Sequence, residues 1–240
     1  MSTFLRTAKS ASDWTNSELS AYNIAFDDMS PNDFFPPFEP SVDHLDPAIL
    51  SSPPGDTNSA ISDAAASYLG YLSLVTRATD HNFVVDFAAE TLKLLGFNEP
   101  CTTVVTRYSV PLSICGEENH VAQADVSLIH NNPNVVLMVL VQDKSTPSNR
   151  CNAGAQVVAA ACITINGTVP TFYLVPVTTE LGTAVATGRY PNSPTVVSKC
   201  AIAAAHVGMK DIEYRRIAFK RLLAFKTLAK SHWLPQSERV

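Results

Sequence analysis

The stretch ADVSLIHNNPNVVLMVLVQDK, residues 124–144, decides the predicted fold. Two apolar runs flank NNPN at 131–134, whose residue types favour a tight turn, so the stretch predicts an antiparallel hairpin. The second run, VVLMVLV, is apolar at every position, which is typical of a central strand covered on both faces. Charges stand only at the open ends, where Asp125 would lie across from residues 141–144. Charged side chains at the end of such a strand must be solvated, paired with an opposite charge, or used in binding or catalysis.

The face on which each polar residue lies follows from strand alternation. Gln142 and Lys144 would share one face and Asp143 the other, unless the strand contains a bulge. From the residues alone, either Gln142 or Asp143 could face Asp125, and both stay candidates.

The rest of the chain predicts helices and further strands around this hairpin. Apolar residues recur at helical spacing in 59–78, 80–97, 152–165, 179–188 and 211–233. Strand-like patterns occupy 102–117, 124–144 and 171–177. Gly96 is a plausible residue to end the second helix. This order predicts an α/β sandwich, with a mixed β-sheet flanked by helices.

The first sixty residues differ in charge from the rest. They carry nine acids and two basic side chains, a net charge of −7, which leaves residues 61–240 at +2. Repeated prolines, as in SPNDFFPPFEP, forbid long helices or central strands. We therefore predict an extended, acidic, Pro-rich arm over residues 1–58, partly disordered or ordered on a surface, followed by one α/β domain over residues 59–240.

The arm also suggests partners. Phe34, Phe35 and Phe38 favour docking, because exposed phenylalanines are a liability. An acidic arm beside a basic body could mask a nucleic-acid surface or exchange into a second subunit, so nucleic acid and a homo-oligomer formed through the arm are the expected partners.

Composition excludes several classes of protein and site. No apolar run reaches the roughly 18–20 residues of a membrane span, and the start lacks the apolar core of a signal peptide. We expect no membrane partner, and we expect an intracellular location, in the cytoplasm or the nucleus. Five scattered cysteines and six isolated histidines show no disulfide or zinc spacing. Neither a phosphate loop nor Gly-x-Ser-x-Gly is present.

An acid at the start of one strand, with an acid and a lysine at the end of its hairpin partner, resembles the PD-(D/E)xK nuclease superfamily. The order of helix, three strands, helix and strand is similar to the core of that fold. Four longer stretches resemble a family of uncharacterised fungal proteins predicted to have this nuclease-like core: NFVVDFAAETLKLLGF (82–97), PLSICGEENHVAQADVSLI (111–129), PTFYLVPVTTELGTAVATGRYPNSPTVV (170–197) and RRIAFKRLLAFK (215–226).

The resemblance implies a hydrolase that cleaves phosphodiester bonds with Mg²⁺ or Mn²⁺. The implied catalytic set is Asp125, Gln142, Asp143 and Lys144. Asp125 would be the first metal ligand, with Glu90 and either Glu118 or its neighbour Glu117 as further acids. Gln156 would steady the site or contact substrate. This is sound chemistry, because carboxylates bind hard cations that neutralise phosphate charge and lower the pKa of water.

One departure and one basic helix leave alternatives open. Relatives tend to read Gln-Glu-Asp-Lys, whereas this chain places glutamine two residues before Lys144, and an amide binds Mg²⁺ more weakly than a carboxylate. The alternative function is a catalytically decayed nuclease-fold protein acting as an interaction or assembly module. The basic helix near the C-terminus has two interpretations. Its residues Arg215, Arg216 and Lys220 form either a face that binds nucleic acid or a face that is simply solvated. Glu90 equally fits an ion pair with a lysine three residues on.

Overall fold

The computed structural model describes residues 14–56, 61–77, 82–131, 134–142, 160–202 and 208–233. Within these ranges, seven strands form one mixed sheet in the order β1-β7-β6-β5-β4-β3-β2. The strands are β1 Ile24–Asp28, β2 Thr102–Ile114, β3 Glu117–Asn131, β4 Asn134–Gln142, β5 Ala160–Asn166, β6 Val169–Val175 and β7 Thr195–Ala201. The predicted mixed sheet flanked by helices is confirmed at this level.

Helices cover both faces of the sheet. They are α1 Asn16–Ala21, α2 Pro31–Phe34, α3 Asp63–Arg77, α4 Asn82–Leu94, α5 Thr179–Thr187 and α6 Ile212–Trp233, with 3₁₀ turns at Pro47–Leu50 and Gly208–Lys210. The main core lies between one sheet face and α3, α4 and α6. The other face carries smaller apolar clusters, one of them beside α5. No helix in the described ranges is both long and apolar enough to cross a membrane.

The N-terminal segment belongs to the same core. β1 pairs in parallel with β7, and the side chains of Phe34 and Phe35 are only 5% and 4% exposed within the main cluster. The separate arm predicted over residues 1–58 is therefore not confirmed for its described part, residues 14–56. Phe38, in contrast, is 64% exposed.

The end of α4 follows the prediction made from Gly96. Gly96 adopts a left-handed backbone with φ of +70°. Its N–H donates to the carbonyl oxygen of Lys93 at 2.9 Å, and the N–H of Phe97 donates to that of Leu92 at 3.0 Å. These two bonds satisfy the last carbonyls of the helix, and glycine adopts the required conformation at little cost.

The helix predicted over 152–165 is wrong at its C-terminal end, where β5 runs from Ala160 to Asn166. β5 lies between β4, which is parallel to it, and β6, which is antiparallel. Ile163 and Ile165 are 0% and 1% exposed there. β-branched side chains suit a strand buried on both faces, and this tertiary burial outweighs the helical pattern of the preceding alanines.

The β2–β3 hairpin is longer than the sheet beside it. β3 pairs with β2 along its length but with β4 only from Val126 onward. At the hairpin tip, the N–H of Cys115 donates to the carbonyl of Val185 in α5 at 2.9 Å. α5 packs beside Ile24 of β1, at the other edge of the sheet. Since neighbouring strands are about 4.8 Å apart, the hairpin must cross several strands to reach it.

Candidate functional site

The predicted β3–β4 hairpin is present. Asn131 pairs with Asn134, so residues 132–133 connect the strands, and Val126 pairs with Leu140 at the other end. Asp125 is the next residue on β3. Its backbone therefore lies beside the end of β4, the placement that the sequence predicts.

Asp125 lies on the sheet face that points away from the main core. Val126 and Leu128 belong to the main cluster, and alternation puts Asp125 and Ser127 on the other face. Asp125 is partly exposed, whereas Ser127 is 1% exposed and its Oγ has no hydrogen-bond partner among the described residues. A carboxylate that reaches solvent beside a buried hydroxyl is suited to hold a cation or a polar substrate.

Glu90, predicted as a metal ligand, lies on the opposite side of the sheet. It belongs to α4, which packs on the face of Val126. Its Oε2 is 3.8 Å from the Nζ of Lys93. This pair is the alternative that the sequence left open, and the intervening sheet separates Glu90 from the carboxylate of Asp125.

Glu118, the other predicted metal ligand, is exposed on β3. It lies seven positions before Asp125 on an extended strand, which corresponds to roughly 23 Å at about 3.3 Å per residue. Carboxylates that bind one Mg²⁺ must both lie about 2 Å from the ion. We therefore leave Glu118 out of the site.

The remaining predicted residues of the hairpin site lie at or beyond the end of β4. Gln142 is the last residue of that strand and pairs with Ile165 of β5. Asp143, Lys144 and Gln156 lie outside the described residues.

The three predicted substrate-binding residues on α6 differ in their surroundings. Arg215 is 0% exposed, and its guanidinium donates to backbone carbonyl oxygens, so it does not face a ligand in solvent. Lys220 lies 3.3 Å from a carboxylate oxygen of Glu39. Arg216 is exposed. α6 thus buries its apolar side, and the acidic N-terminal segment neutralises part of its charge within the molecule.

Arg107 lies beside Asp125 in the sheet, although no motif in the sequence singles it out. Thr106 pairs with Val126 and Tyr108 with Ala124, so Arg107 lies directly opposite Asp125. Its φ is +55°, and its Nη2 donates to the Oδ1 of Asn82 at 3.3 Å. The available signal was that Arg107 is the single charged residue of β2, although its position depends on the pairing with β3.

The described residues contain no group of three or more His, Cys, Asp or Glu side chains arranged to hold a metal ion. Mg²⁺, however, commonly uses only one or two carboxylates and completes its shell with water and substrate phosphates. The partly exposed Asp125, together with one further acid just beyond β4, would fit that donor set.

The chain matches no protein-family model and no curated protein.

Proposed function

We propose that this protein is a metal-dependent, nuclease-like enzyme that hydrolyses phosphodiester bonds of nucleic acid. Its site would lie at the open end of the β3–β4 hairpin, with Asp125, Asp143 and Lys144 as the acting residues. The observation that carries the proposal is the register of β3 against β4. It brings Asp125 beside the end of β4, after which the sequence continues with Asp143 and Lys144.

The order of the strands supports the proposal. α4 is followed by β2, β3 and β4, each antiparallel to the one before, and then by β5, parallel to β4. A parallel neighbour needs a crossover connection of about a dozen residues or more, which residues 143–159 supply. This arrangement is consistent with the helix, three strands, helix and strand order of the PD-(D/E)xK superfamily that the sequence resembles.

Strand alternation favours Asp143 over Gln142 as the acid that joins Asp125. Extending the pairing of Val126 with Leu140 by one residue puts position 141 opposite Asp125. Positions 141 and 143 of a regular strand share a face. The proposal therefore assigns the second carboxylate to Asp143, which makes the glutamine at 142 compatible with metal binding.

Each residue has a defined role in the proposed chemistry. Asp125 and Asp143 would hold Mg²⁺ or Mn²⁺. Lys144, on the opposite face of a regular strand, would have to reach round the end of the strand to donate to a phosphate oxygen or to the attacking water. When bound, the metal supplies neutralisation of phosphate charge and a lower pKa of bound water. Because Asp125 is partly exposed, water would reach a phosphate bound beside it.

A second candidate function is a nuclease-fold protein that binds a partner without catalysis. Two points favour it: Asp125 is the one acid that the described residues place at this end of the hairpin, and Gln142 stands where the family that the sequence resembles tends to have glutamate. The two functions differ in metal affinity, because a site without a second carboxylate binds Mg²⁺ weakly.

Calorimetric titration of Mn²⁺ into the full chain tests the proposal. We expect one binding event in wild type that is lost in Asp125→Asn and in Asp143→Asn, since each removes one of the two carboxylates. Glu118→Gln is the matched control, because it removes an exposed acid of the same strand about 23 Å away and should bind Mn²⁺ as wild type does. Unchanged binding in Asp125→Asn would contradict the proposal, and absence of binding in wild type would favour the second candidate.

A further inference from the structure

We infer that the free edge of β2 is a docking surface for a second copy of this chain. The two copies pair antiparallel along residues 108–112, about a two-fold axis near Val110, so that the sheet continues from one copy into the other. The inference is independent of the proposed nuclease function. The surface also differs from the N-terminal segment through which the sequence predicts an oligomer, because the described part of that segment packs into its own core.

The hydrogen bonds at the start of β2 show which backbone groups face away from β3. The N–H of Asn131 donates to the carbonyl oxygen of Cys101 at 2.8 Å, so the odd-numbered positions of β2 direct their backbone groups at β3. The backbone groups of the even-numbered positions point to the free edge, because this direction alternates along an antiparallel strand. The register with β3 is the same from Thr102 to Leu112, so the alternation continues to that residue.

The free edge of β2 is capped at its beginning but not further along. The N–H of Thr102 donates to a backbone carbonyl oxygen at 2.9 Å, and that of Val104 donates to a side-chain amide oxygen at 2.7 Å. The outward groups of Tyr108, Val110 and Leu112 have no hydrogen-bond partner among the described residues. The residues that alternate with these three are exposed. This half of the edge is therefore open to another strand.

The two edge strands of the sheet differ in their protection against pairing. β1 has five residues and ends in Asp27 and Asp28, and short, charged edge strands oppose pairing. β2 carries no charged residue from Tyr108 to Ile114. Pro111 does not block its free edge, because an odd-numbered position lacks its N–H on the side of β3. The uncharged half of β2 is therefore the better edge for another strand.

Closure and charge favour the same strand of a second copy as the occupant. Pairing of β2 with β2 uses up the open edge of both copies and ends at a dimer, whereas pairing with β1 would bring its two acids to the interface. The uncharged stretch also lies between an exposed basic residue, Arg107, and an acidic end that begins at the exposed Glu117. Antiparallel pairing brings the basic end of each copy toward the acidic end of the other, which favours this orientation.

Sedimentation velocity of the full chain over a series of protein concentrations tests the inference. We expect a monomer–dimer equilibrium in wild type. Val110→Pro removes the outward N–H at the two-fold axis, and an edge strand tolerates proline where its nitrogen faces solvent. The Kd of the dimer should rise by about tenfold or more, because each copy loses a hydrogen bond and gains a steric obstacle. Val110→Ala and Pro111→Ala are matched controls and should stay within about twofold of the wild-type Kd.

Amide hydrogen exchange of the wild type gives a second measurement, which does not depend on how well a variant folds. The N–H groups of Tyr108, Val110 and Leu112 should exchange more slowly as the protein concentration rises, because pairing protects them in the dimer. A wild type that stays monomeric would overturn the inference, and so would a dimer whose Kd is unchanged in Val110→Pro. Exchange at these three amides that is independent of concentration would overturn it as well.

Discussion

The guanidinium of Arg215 donates a hydrogen bond of 2.6 Å to the carbonyl oxygen of Ile49, which is 166 residues earlier in the chain. The same guanidinium donates to Ser52 at 2.9 Å and to Met209 at 2.8 Å. All three acceptors are backbone carbonyls, so this arginine fastens the N-terminal segment and the turn before α6 to the helix itself. Its burial assigns it to the architecture of the domain.

Replacing Arg215 with alanine should therefore destabilise the fold. The substitution removes the donors of three carbonyls and leaves a cavity, and we expect a loss of about 3 kcal/mol in the free energy of unfolding. Arg216→Ala, one residue on and exposed, should stay within about 0.5 kcal/mol of wild type. Urea unfolding measures both. Equal stability of the two variants would show that Arg215 is not a structural anchor.

A second prediction concerns the N-terminal segment. The ring of Phe35 lies 5.2 Å from that of Phe172, measured between centroids, and the guanidinium of Arg221 lies 5.2 Å from the same ring. Phe35→Ala should cost about 3–5 kcal/mol, as for other buried phenylalanines. Phe38→Ala, three residues on and 64% exposed, should cost less than about 0.5 kcal/mol. Thermal and urea unfolding of the full chain provide the comparison, and similar small losses for both would contradict the packing of this segment into the core.

The third prediction is a pH dependence at the end of α6. Burial alone would raise the pKa of Glu99, but hydrogen bonds and charge from Lys226 and Lys230 outweigh it and hold the pKa below its ordinary value of 4.5. A carboxylate with a depressed pKa stabilises the fold above its unfolded-state pKa. That stability is lost as the pH falls through the folded-state pKa.

Glu99→Gln tests this dependence. The variant should be about 1 kcal/mol less stable than wild type near pH 7, and the difference should shrink below pH 4.5 and vanish once the carboxyl of the wild type is protonated. Glu90→Gln is the control, because its lysine partner lies 3.8 Å away and an exposed pair of this kind contributes little. A stability difference at Glu99 that does not change with pH would contradict the assignment.

Local patterns predicted those parts of the fold that local interactions determine. The turn residues 131–134 and the apolar runs beside them give the β3–β4 hairpin, because residue type sets the turn and burial sets the strands. Gly96 ends α4 because its left-handed conformation is a property of the residue itself. α6 follows the amphipathic pattern of residues 211–233.

The remaining features depend on contacts between distant segments. The sequence of β5 continues the helical pattern of the preceding alanines. Its pairing with β4 and β6 makes it a strand of the sheet instead. Phe34 and Phe35 show no periodicity, so the sequence indicates that they dock but does not identify Phe225 and Phe172 as their partners. The position of Arg107 opposite Asp125 follows only from the register of β2 against β3.

The most direct test of the central claim is cleavage of end-labelled DNA and RNA by purified full-length wild type and Asp125→Asn, in Mn²⁺ and in EDTA. The account predicts metal-dependent cleavage by wild type. In Asp125→Asn the cleavage rate should fall by a factor of roughly a hundred or more, because one carboxylate of the proposed metal site is lost. Glu118→Gln should cleave as wild type does. Equal cleavage by wild type and Asp125→Asn, or none by wild type, would contradict a nuclease site at the open end of the hairpin.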